Sequence, residues 1–64
     1  MSKSMFDYTK MILNKVSFDP VLFCKEVQKA VSRLLPHEIE ELRNFILRIA
    51  LQKPELKQSL IYLD

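Results

Sequence analysis

Sixty-four residues make a single domain, and a chain this short buries only about 60% of its unfolded surface, so its core needs a supplement. A lone cysteine, Cys24, excludes an intrachain disulfide, and with the lone histidine, His37, it falls short of the four ligands of a structural zinc site. Ten basic against eight acidic residues leave a net charge of +2, too small to demand a polyanionic partner, so dense helix packing or self-association is the supplement that 48% hydrophobic residues can serve.

The chain contains no glycine, which disfavours tight β-hairpins, and each of its three prolines suits the first position of a helix. The first element is expected over about 4–16. Ser4 and Asp7 resemble a capping box. At 100° per residue Met5, Tyr8, Ile12 and Val16 share one face, with Phe6, Met11 and Leu13 beside it and Lys3, Asp7, Lys10 and Asn14 opposite.

The second helix is expected over 20–34, with Asp19 as N-cap and Pro20 at N1. Phe18 and Phe23 occupy the positions of a hydrophobic staple. Its core face reads Phe23, Val27, Ala30, Val31 and Leu34, with Cys24 at the edge.

The third is expected over 36–52. Pro36 takes N1, and Leu34 and Ile39 fit the staple positions. The N-cap is Leu35, which cannot accept a hydrogen bond and costs about 1 kcal/mol relative to Ser or Asp. Glu38, Glu40 and Glu41 near the positive helix end offset part of that. The main face is Ile39, Leu42, Phe45, Ile46 and Ile49. A short fourth helix, 55–62, carries Leu56, Leu60 and Leu63 on one side and must depend on docking, because isolated helices of this length are marginal. The expected fold is therefore all-α, three main helices and a short C-terminal fourth in one compact bundle.

Two leucines of the third helix are left over. Leu47 and Leu51 stand one turn apart, nearly opposite Ile49, on a line that continues through Asn44 and Glu40. Burying such a pair contributes roughly 3–6 kcal/mol, comparable with the whole stability of a small domain. Short connections usually join packed neighbours, so the C-terminal segment is expected to fold back over them. The alternative cover is a second copy or another protein, with a two-fold homodimer the commonest form. The expected interaction surface is Leu47, Leu51, Leu60 and Ile61.

Other candidates have plainer readings. Cys24 and His37 are the only conceivable nucleophile–base pair, but triad chemistry also needs an orienting group and a cleft, so no enzyme activity is expected. Lys25, Lys29 and Arg33 recur every four residues along the second helix, and phosphate contact by this row is the alternative function, a small nucleic-acid-associated regulator. The third helix begins HEIEE, however, which would bring carboxylates toward phosphates where a recognition helix presents its N-terminal residues. Met5, Phe6 and Met11 suit an irregular partner groove or ordinary core fill. The glutamates at 38, 40 and 41 do not converge on one ion, and no pattern implies a metal, a cofactor or a small-molecule substrate. No apolar run spans a membrane, no signal peptide follows Lys3, and a free thiol suits the cytoplasm.

The stretch FDYTKMILNKVSFDPVLFCKEVQKA, 6–30, resembles a group of very small uncharacterised bacterial helical proteins with a KVSFD…LF-KE-KA signature. The matching residues are Tyr8, Lys10, Lys15 to Asp19, Leu22, Phe23, Lys25, Glu26, Lys29 and Ala30, with Leu35, Pro36 and Glu38 at the following turn. The resemblance implies a helical fold and an intracellular bacterial setting, and it implies no activity. Where Leu35 stands, the group often has a small polar residue.

Overall fold

Caps set where each element begins. In the computed structural model, which describes residues 4–63, the Ser4 hydroxyl accepts the Asp7 N–H at 3.1 Å and opens α1, Met5–Lys15. The Asp19 carboxylate accepts the N–H groups of Val21 and Leu22 at 3.0 and 3.4 Å and opens α2, Pro20–Val31. α3, Pro36–Ala50, begins differently. Leu35 offers no acceptor, and the Glu38 side chain instead accepts the Leu35 N–H at 2.8 Å, which is half of a capping box. The last element, Pro54–Leu63, is a 3-10 helix. No described residue lies in a strand, and the fold is all-α.

The core forms where the four elements meet. Leu13 of α1, Phe23 and Val27 of α2, Leu42 and Ile46 of α3 and Leu56 of the 3-10 segment are all completely buried. α1 and the 3-10 segment each pack on both α2 and α3. The expected faces of α2 and α3 hold, and α3 adds a buried Ala50. Both helices end earlier than expected, because residues 32–35 and 51–53 form the turns that redirect the chain.

Other expectations shift. On α1 the inward residues are Thr9 and Leu13, with Phe6 and Val16 half-buried, while Met5, Tyr8 and Met11 are exposed. The face is thus turned from the one that apolar periodicity marks, because Thr9 can go inside. Its hydroxyl donates to the Met5 carbonyl at 2.8 Å, so burial leaves no unsatisfied group. Phe18 is 73% exposed, so the staple expected with the buried Phe23 hides little of its surface, and the Asp19 cap with Pro20 at N1 marks the entry into α2. Lys3 lies outside the described residues.

The C-terminal segment was expected as an α-helix. Its 3-10 winding repeats every three residues, so Leu56 and Ser59 fall on one line and Leu60 and Leu63 on the next. Ser59 is completely buried and donates to the Leu56 carbonyl at 2.7 Å. Two tethers hold this part of the chain. The Lys53 ammonium donates to the Ser17 hydroxyl at 3.0 Å, just before the segment starts, and Arg43 donates to the Leu63 carbonyl at its end.

Candidate interaction surface

The outer surface of α3 follows from its inner one. With Leu42, Ile46 and Ala50 facing the core, a rotation of 100° per residue carries Glu40, Asn44, Leu47 and Leu51 to the outside. Leu51 is 81% exposed and Leu47 41%. The 3-10 segment docks instead on the side where Arg43 reaches Leu63, burying Leu56, Ser59 and Leu63. The expectation that the tail covers Leu47 and Leu51 is overturned. A three-residue turn and a 3-10 register steer the tail's apolar line into the core between α2 and α3, and nothing is left to fold over the leucines.

Of the four residues expected on the surface, Leu47, Leu51 and Ile61 are exposed, Ile61 at 68%. Leu60 is not. It is half-buried and packs against the core cluster, on the line next to Leu56 and Ser59.

Besides Met5, Tyr8 and Met11 of α1, further exposed apolar residues cluster at one end of the molecule. Phe18, Val21 and Leu22 stand at the start of α2, at the end of the molecule where Lys53 meets Ser17 and where Leu51 also lies. The signal for Val21 and Leu22 is in the sequence: at helical spacing both fall away from the face of Phe23 and Val27. Phe18 carries no such signal, because its staple position and its exposure are equally compatible with the pattern.

The basic row exists as spaced. Lys25 and Lys29 on α2 and Arg33 in the turn that follows it are all exposed. Lys29 pairs with Glu26 at 3.3 Å, whereas Lys25 and Arg33 have no ion pair among the described residues. Glu40 and Glu41 on α3 are likewise exposed and without an ion pair among the described residues.

The catalytic candidates stay apart chemically. Cys24 is half-buried, and burial pushes its thiol above the usual range, away from the reactive thiolate. His37 is exposed, and no hydrogen bond joins the two among the described residues. Among those residues no group of three or more His, Cys, Asp or Glu could hold a metal ion. A groove between α1 and α2, bounded by Tyr8, Ile12, Glu26 and Arg33, holds about 20 Å³, room for a water, whereas an open cleft between α1 and α3, bounded by Phe6, Lys10, Glu41 and Arg48, holds about 280 Å³. No helix of the described residues is long and apolar enough to cross a membrane.

No protein-family model matches the chain, and no curated protein or solved structure was found to be similar to it.

Proposed function

We propose that this chain is a non-enzymatic protein-interaction module that self-associates through the exposed apolar residues Leu47 of α3 and Leu51 at its C-terminal cap, with the exposed Ile61 of the 3-10 segment as a further contact and Leu60 supporting from the core side. The observation that carries this reading is the exposure of Leu51 and Leu47, one turn apart on a helix whose tail has gone elsewhere. Removing what both still expose from water stabilises by roughly 2–4 kcal/mol, a gain that matters to a domain too small to bury much by itself. Its setting, by resemblance and by the unpaired thiol, is the bacterial cytoplasm.

Sedimentation velocity across a concentration series tests the reading. The wild type is expected to associate with rising concentration, and Leu47→Glu with Leu51→Glu to abolish this while circular dichroism still reports the same helix content. A wild type that stays monomeric at every concentration overturns it.

A second reading has one observation in its favour: Lys25 on α2 and Arg33 in the turn after it are exposed, have no ion pair among the described residues and are available to phosphates. A nucleic-acid shift that weakens with salt and with Lys25→Ala plus Arg33→Ala would establish it, and no shift at low salt would end it.

A further inference from the structure

The entry into α2 presents three apolar side chains to water within five positions of the chain. Phe18 lies in the turn after α1, and Val21, 64% exposed, and the exposed Leu22 follow in the first turn of α2. The Asp19 carboxylate holds this stretch together by accepting the N–H groups of Val21 and Leu22, so the three side chains leave from one capped turn.

Cations stand beside this tip. Lys15 ends α1 just before the turn, and Lys25 lies one helical turn past Val21 and Leu22. Both are exposed and have no ion pair among the described residues. The Lys53 ammonium is 3.0 Å from the hydroxyl of Ser17, the neighbour of Phe18. The exposed Arg48 borders the same open cleft as Ser17 and Lys53. Among the described residues the acids at this end are Glu55 and Asp19, whose carboxylate is engaged in the cap. Asp7, Glu38, Glu40 and Glu41 stand at the opposite end, where the start of α1 meets the end of α2 and α3 begins.

We propose that this tip docks on an anionic phospholipid surface. Phe18, Val21 and Leu22 enter the headgroup layer, while Lys15, Lys25, Lys53 and Arg48 meet the lipid phosphates. The docking needs neither Leu47 nor Leu51, so it stands or falls apart from self-association. Long aliphatic stems let the lysines lie along apolar neighbours and still present their charge to phosphates. Apolar insertion and electrostatic attraction add at such a surface, and each Lys or Arg beside it strengthens binding about fivefold. A lipid fits this tip better than a protein does. A stable protein interface takes roughly 800 Å² per partner, more than three side chains on one turn supply, whereas headgroups close around a protruding tip. Two copies meeting tip to tip would set like charges against each other.

Vesicle flotation tests the proposal, with phosphatidylcholine alone and with phosphatidylcholine mixed with phosphatidylglycerol. The wild type is expected to float with the mixed vesicles at low salt, to release as salt rises and to ignore phosphatidylcholine alone. Lys15→Ala with Lys25→Ala is expected to weaken binding about 25-fold. Phe18→Ser with Val21→Ser is expected to weaken it about tenfold or more, with helix content by circular dichroism unchanged because both side chains face water. Phe18→Trp reads insertion directly, since the chain has no tryptophan of its own, and its emission is expected to shift to the blue on the mixed vesicles. Binding with unshifted emission, or equal binding to both kinds of vesicle, overturns the proposal. A chain that floats with neither also overturns it and returns this tip to a protein partner.

Discussion

The Arg43 guanidinium donates to the Leu63 carbonyl at 3.2 Å, across twenty positions of sequence, and ties the end of the 3-10 segment to the middle of α3. A 3-10 run of ten residues is longer than such turns usually persist, so this one is held by what it docks against rather than by its own ladder. Arg43→Ala removes a charge-assisted hydrogen bond and is expected to cost about 1.5–3 kcal/mol. Urea unfolding gives the magnitude. Hydrogen exchange at residues 54–63 locates it, and loss of protection spread evenly over α1 would contradict a local tether.

Leu56 tests the segment's part in the core. It is completely buried between helices that would otherwise face water. Leu56→Ala is expected to destabilise by about 2–5 kcal/mol, a large share of the total for a domain of this size. Deleting 54–64 should go further and expose the apolar sides of α2 and α3 to a hydrophobic dye. A truncated chain melting at the wild-type temperature would show that the core closes without its fourth element.

Leu35 offers a gain. It sits at the N-cap of α3 with φ −74° and ψ 158°, an extended geometry that Ser adopts readily, and its side chain is exposed. Leu35→Ser supplies the missing acceptor and keeps the Glu38 half of the box. Stability is expected to rise by about 1 kcal/mol, or roughly 4–8 °C in Tm for a domain this small. A lowered Tm would mean that Leu35 packs in a way its exposure does not show.

Cys24 has a signed pH dependence. Burial favours the neutral thiol in the folded chain, so the folded value lies above the unfolded one. The resulting stabilisation is complete below the unfolded thiol's range and is lost as pH rises through the folded value. Alkylation of the native protein is expected to accelerate at higher pH than alkylation in denaturant. Coincident pH profiles would place Cys24 in open solvent.

Much of the fold is legible in the residues. Asp19 and Pro20 mark the start of α2, and the spacing of Phe23, Val27, Ala30 and Leu34 marks its inner face, because a cap and a 3.6-residue period are local properties. Glu38 can be foreseen at the start of α3, although its bond to the Leu35 N–H belongs to the folded turn. Thr9 and Ser59 escape a reading that counts apolar side chains, since each hides its hydroxyl on a carbonyl of its own helix. The candidate surface is half legible: the pattern singles out Leu47 and Leu51 as surplus, yet it cannot say which way the tail turns.

By itself, then, the sequence determined the helical class, the starts of α1, α2 and α3, and the inner faces of α2 and α3, all consequences of interactions within a few residues. The tertiary structure alone decided the rotation of α1, the 3-10 winding after Pro54 and the exposure of Leu51. Those depend on contacts such as Arg43 with Leu63 and Lys53 with Ser17, which link positions far apart in the chain and exist only once the helices have met.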